Sequence, residues 1–123
     1  MKRLYISAAL LCCTALPAQA MTVAEFLAKA KALQARGLFA FGSPDIKLLK
    51  GEMKVIVGAY RAELIAARDA GHEPHSCPSE RKATAEMNAR TLIAELEKIP
   101  HAQRQMSMKA AFYGIMKRRY PCA

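Results

Sequence analysis

Cys77 and Cys122, with the histidines of the stretch GHEPHSCPSE at residues 71–80, are the groups in this chain best equipped for chemistry. A thiolate beside an imidazole is a nucleophile with its base, and thiolates grouped with imidazoles hold zinc. Two thiols can also simply oxidise to a disulfide. The spacing argues against the first two uses. His72 and His75 flank Pro74 in a polar loop with Glu73 and Glu80, share no helical face, and read as solvated loop residues. His101 stands apart, beyond Pro100. Carboxylates offer no acid–base pair, since Glu63 and Asp69 fall on the outward side of a long helical pattern and Glu25 suits a helix cap. The glycines never cluster into a loop that cradles phosphate. The chain reads as non-catalytic, with no cofactor and no metal.

What the cysteines do depends on compartment. The chain begins MKRLYISAALLCCTALPAQA: Lys2 and Arg3 are positive, Leu4 to Leu16 form an apolar run, and Ala18-Gln19-Ala20 is a small-x-small site. That order is the pattern of a secretory signal peptide over residues 1–20, and the run falls short of the roughly 20 apolar residues of a permanent anchor. Bulky Leu11 before Cys12 argues against lipid attachment at Cys12 or Cys13. Cleavage after Ala20 starts the mature chain at Met21 and leaves residues 21–123 as one helical domain. Cys12 and Cys13 depart, so Cys77 and Cys122 remain as an even pair, most simply a disulfide in an exported chain. Closing that loop stabilises by about 4 kcal/mol on the loop-entropy relation.

Those groups must be positioned by helices. Thr22 followed by Glu25 is a capping box, with Phe26, Leu27, Ala30 and Leu33 at helical spacing behind it and Gly37 as a stop. Leu38, Phe39 and Phe41 then form an apolar link expected to plug the end of the bundle, with a docking patch as the other use. Ser43, Pro44 and Asp45 start the longest helix, whose stripe runs through Ile46, Leu49, Met53, Ile56 or Val57, Tyr60, Leu64 and Ala67 to a stop at Gly71. Gly51 and Gly58 lie on nearly one face inside it, which calls for a close helix neighbour or a bend. A third helix is expected from about Thr84 to Ile99, burying Met87, Leu92, Ile93 and Leu96 before Pro100. Ser107 is placed to cap the last, which buries Met108, Ala111, Phe112, Ile115 and Met116 and stops at Pro121. No stretch alternates with the period of a strand. The fold class is all-α: a small disulfide-linked antiparallel bundle of about four helices.

Charge is the remaining handle. Without Lys2 and Arg3 the 19 basic residues become 17 against 10 acidic, and the formal charge falls from +9 to +7. Such a balance steers a small domain toward acidic partners. Lys47, Lys50, Lys54 and Arg61 run along one side of the second helix, and Lys117, Arg118 and Arg119 cluster at the end of the fourth. These seven are the candidate partner-binding residues, with solvated helix faces as the plainer account. Export and the lack of tryptophan make nucleic acid a poor partner.

At CPSE, LIAELEKIP and AFYGIMKRRYPC the chain resembles the Rap1a/Tai-type family of small exported proteins. The shared order is Cys77-Pro78, a helix carrying Leu92, Ile93 and Leu96, Pro100, and a helix ending Tyr120-Pro121-Cys122. The resemblance covers residues 77–122 and is loose over residues 22–70, where this chain has no cysteine for a second bridge. It implies a helical fold, a periplasmic address and a bond between Cys77 and Cys122. It also implies binding to another protein, since members include immunity proteins that inhibit cell-wall amidase effectors of type VI secretion. The alternative is a non-catalytic structural, accessory or chaperone-like envelope protein, for which Met53, Met87, Met106, Met108 and Met116 could supply soft surface.

Overall fold

Thr22 opens the first helix by the box its spacing predicts. Its hydroxyl accepts the Glu25 N–H at 3.2 Å, and the Glu25 carboxylate accepts the Thr22 N–H at 2.8 Å. The computed structural model describes residues 20–79 and 86–123, so most of the expected leader, with Cys12 and Cys13, lies outside the described residues. Helix α1 spans Val23–Arg36. Its next unpaired donors are met from elsewhere in the chain: Val23 N–H donates to the Met106 carbonyl (3.0 Å) and Ala24 N–H to that of Arg104 (2.9 Å). Met108 N–H in turn donates to the Met21 carbonyl at 2.8 Å, and Thr22 and Ser107 form an isolated antiparallel bridge. Two helix N-termini therefore start side by side.

Gly37, at φ +55°, turns the chain out of α1 into a 3-10 turn over Gly37–Ala40. Here the structure corrects an expectation. Leu38, Phe39 and Phe41 do not plug the bundle; they are 81%, 87% and 80% exposed, and only Ala40 of the turn is buried. A turn this tight carries one position inward, and a small residue fills it.

Helix α2 spans Pro44–Asp69, with the Ser43 hydroxyl accepting from Asp45 N–H and proline at the first position. At its far end His72 N–H reaches the Ala67 carbonyl (2.8 Å) and Gly71 N–H that of Arg68 (3.0 Å), a left-handed termination with Gly71 at φ +72°. Leu49, Ile56, Tyr60 and Leu64 of its stripe are buried, and Met53 and Val57 pack against them.

Helix α3 spans Ala89–Glu97, shorter than the expected run from Thr84 to Ile99. Thr84 and Ala85 lie outside the described residues. The Asn88 side chain accepts from Thr91 N–H at 3.0 Å and so begins a helix of its own. At the other end the Arg104 guanidinium donates to the Ile99 and Glu97 carbonyls, each at 2.9 Å, satisfying acceptors the helix leaves open. A second 3-10 turn, His101–Gln103, leads to α4 at Met108–Arg119, capped by Ser107 through Ala110 N–H at 3.2 Å.

The four α-helices of the described residues form an all-α bundle around one core. Val23, Phe26 and Leu27 of α1 meet Ile56, Tyr60 and Leu64 of α2, Leu92 and Leu96 of α3, and Met108, Phe112 and Ile115 of α4. Full burial of a side chain such as Ile115 or Leu96 contributes roughly 1.5–3 kcal/mol. A disulfide joins Cys77 to Cys122, with their Cα atoms 4.9 Å apart. Beside it Cys77 N–H donates to the Tyr120 carbonyl at 2.7 Å, so the end of the chain is fixed to the loop after α2.

Candidate interaction surface

The disulfide closes onto an aromatic joint. Tyr60 of α2 meets Phe112 and Tyr113 of α4 edge to face, at centroid distances of 5.5 and 5.3 Å. The Tyr60 hydroxyl is hydrogen-bonded to that of Ser76, which is fully buried in the loop one residue before Cys77. Burial pushes the Tyr60 phenol up, and the Ser76 bond partly offsets this. His75 stacks at a tilt against Tyr113 (5.4 Å), and Lys109 lies 5.3 Å from the centre of the same ring. The expected loop histidine is thus an aromatic contact.

Tyr113 is the most perturbed group of the joint. Burial pushes its phenol up to about 12, with the nearby Glu63 carboxylate adding to the shift. Its buried hydroxyl stands against that carboxylate in a contact looser than a regular hydrogen bond. Glu63 itself is held below the ordinary carboxylate range, by Tyr113 first and by Lys109 (3.3 Å) after it. The joint orders α2 against α4.

A second cluster holds Glu95, a buried carboxylate on α3 that the sequence reading passes over. Lys98 Nζ lies 2.8 Å and Arg119 Nη1 3.2 Å from Oε1, while Arg118 Nη2 is 3.9 Å from Oε2. Hydrogen bonding from Lys98 first, then the charges around it, holds Glu95 below its usual range against the opposing effect of burial. Arg119 also reaches Glu86 at 4.0 Å, and Tyr120 donates to Glu86 at 3.0 Å. Of the three expected partner-binding cations on α4, Arg118 and Arg119 are therefore tied to carboxylates of this chain. Lys117 is exposed and has no ion pair among the described residues.

The α2 cations are placed differently. Lys47, Lys50, Lys54 and Arg61 are all exposed, and none pairs with a described carboxylate. They stand on the helix that begins just after the outward-facing Leu38, Phe39 and Phe41. The methionines go the other way: Met108 and Met116 are buried, Met53 and Met87 pack against the core, and Met106 is 37% exposed.

An open cleft of about 310 Å³ is lined by Ala24, Leu27, Lys31, His101 and Arg104 among others. Its cations are already engaged, Lys31 with Glu97 at 3.5 Å and Arg104 with the α3 carbonyls. Among the described residues no group of three His, Cys, Asp or Glu could hold a metal, and no helix is long and apolar enough to cross a membrane. No family model matches the chain, and neither a curated protein nor a solved structure matches it.

Proposed function

We propose that this chain is an exported, periplasmic binding protein, and that its partner is a secreted protein of the kind its C-terminal half suggests: a type VI effector such as a cell-wall amidase, which it inhibits as an immunity protein. The observation that carries the reading is the outward aromatic patch. Leu38, Phe39 and Phe41 are at least 80% exposed on a turn held between two capped helices. Large apolar groups that leave the core without an intramolecular reason mark contact sites, and aromatic anchors dominate the binding energy of such sites. The basic face of α2 adds steering toward an acidic partner. The leader-like order of residues 1–20 and the Cys77–Cys122 bond support export. The resemblance at CPSE and RRYPC supports the effector class.

The test is co-expression of the full chain with a panel of type VI amidase effectors directed to the periplasm, read as cell lysis and as peptidoglycan hydrolysis by the purified pair. Protection against at least one effector is expected, with loss on Phe39→Ser/Phe41→Ser and no change in melting temperature. Retained protection in that double variant refutes the patch. No inhibition across the panel by folded, disulfide-bonded protein refutes the immunity reading.

A further inference from the structure

Helix α2 has a second apolar row, on the side away from the core. Leu48, Gly51, Val55, Gly58, Ala62 and Ile65 follow one another at alternating spacings of three and four, the pattern of a helix-packing seam. All six are exposed, and Leu48, Val55 and Ile65 are 48%, 71% and 56% so. A Cβ built at Gly51 or Gly58 meets nothing within 4 Å, so neither glycine serves a close approach within the described chain. Their effect is on the outer surface. Lacking side chains, they leave two notches in the row between Leu48, Val55 and Ile65.

The flanks say what kind of helix. Lys47, Lys54, Arg61 and Arg68 recur at intervals of seven along one edge of the row, all exposed and none paired with a described carboxylate. The other edge carries Glu52, Ala59 and Ala66. A second copy fits poorly in either direction. Antiparallel pairing sets the basic edge against itself, Lys47 near Arg68 and Lys54 near Arg61 of the copy. Parallel pairing stacks glycine on glycine at two successive layers and leaves them unfilled. A bilayer surface would use an unbroken row of bulky wedges, whereas half of this row is glycine or alanine.

We infer that the outer face of α2 is a docking groove for an acidic amphipathic helix of a partner protein, with large apolar side chains seated over Gly51 and Gly58 and carboxylates spaced along the Lys47–Arg68 edge. The inference deepens the binding reading above by naming a surface and a partner chemistry separate from the aromatic patch.

The probe is a synthetic helix of about four heptads with leucine at the seam positions and glutamate along both edges, against a sister peptide with lysine at those edges. Calorimetric titration of the full mature protein is expected to show the acidic peptide binding at least about tenfold more tightly, with affinity falling as salt rises. Val55→Glu and Lys54→Glu/Arg61→Glu should each weaken it by about tenfold or more. Gly51→Ala/Gly58→Ala should melt at a higher temperature yet bind more weakly, opposite signs that a folding defect does not produce. Phe39→Ser/Phe41→Ser should bind the peptide as the parent does. Equal affinity for the two peptides, or full binding by Val55→Glu, overturns the groove. So does a dimer in sedimentation that Val55→Glu dissolves, or binding to phosphatidylglycerol vesicles without peptide binding. Effector protection without peptide binding sinks the groove alone, and peptide binding without protection sinks the immunity reading alone.

Discussion

Replacing Cys122 with serine opens the loop that holds the tail, and the size of the effect follows from what else holds it. Three contacts survive the substitution. Cys77 N–H donates to the Tyr120 carbonyl, Tyr60 is bonded to Ser76, and the Tyr120 hydroxyl donates to Glu86. These exist in the folded state, so the native geometry of the clasp is retained without the bond. The loss falls on the unfolded ensemble, which regains the freedom of a loop closed across 45 positions, about 4 kcal/mol. For a domain of this size that corresponds to a fall of roughly 15–30 °C in melting temperature and about 2 M or more in the urea midpoint. Urea titration of the parent, the parent with reductant, Cys122→Ser and Cys77→Ser/Cys122→Ser measures it. All three altered forms are expected to shift by the same amount with an unchanged native far-UV spectrum, and Cys77 of the single variant should alkylate readily, being exposed. A loss of stability under about 1 kcal/mol would refute the reasoning. A reduced protein that has lost its helical spectrum would refute the claim that the three contacts suffice to keep the native clasp.

Glu95→Gln should destabilise by about 1–2 kcal/mol at pH 7, a charged hydrogen-bond effect discounted because Lys98 and Arg118 are largely solvated. The carboxyl of Glu95 is held below its unfolded value, so its stabilisation is present above the ordinary carboxylate range and lost as pH falls through it. The gap between Glu95→Gln and the parent should therefore narrow below about pH 4.5, and a gap that widens in acid contradicts the ion-pair account. Tyr60→Phe leaves the buried Ser76 hydroxyl without its partner and should lose about 1–3 kcal/mol. Tyr60→Phe/Ser76→Ala, which removes both groups, should melt no lower than Tyr60→Phe alone.

The caps and the core stripe were legible because each depends on residues close in sequence. Thr22 with Glu25, Ser43 with Asp45, and Ser107 with Ala110 bond within their own first turns, and the α2 stripe needs nothing beyond a period of 3.6. The cysteine pair was legible because the residues expected to leave with the leader reduce four thiols to two. The aromatic link was misread because hydrophobicity alone does not say which side of a 3-10 turn faces the core, and Ala40 took the inward place. Asn88 was a cap signal standing in plain view, passed over because the apolar spacing continued through it. The Glu95 cluster was legible only in its local part. Its partners Arg118 and Arg119 lie more than twenty positions away; the local signals, a place beside Leu96 on the buried face and Lys98 three residues on, do not by themselves announce a three-cation cluster.

Helix length explains why this fold leaves a surface to use. At 26 residues α2 extends about 39 Å, whereas α1, α3 and α4 at 14, 9 and 12 residues reach about 21, 14 and 18 Å. Two short helices, α1 and α4, cover one side of the long one and cannot wrap it. A helix whose remaining side served solvation alone would carry lysine and glutamate there, which raise helix propensity. Here that side carries two glycines, each lowering helix stability by about 1 kcal/mol relative to alanine, with Leu48, Val55 and Ile65 between and beside them. Propensity and solubility both argue against that choice of residues on an exposed face, and close packing supplies no compensation at the glycines, where an added Cβ meets nothing within 4 Å in the described chain. The partner helix inferred above would supply one. The disulfide would then have a use beyond stability: by fixing the loop after α2 to the end of α4, it would hold the C-terminal half of the long helix in place while its outer face is engaged.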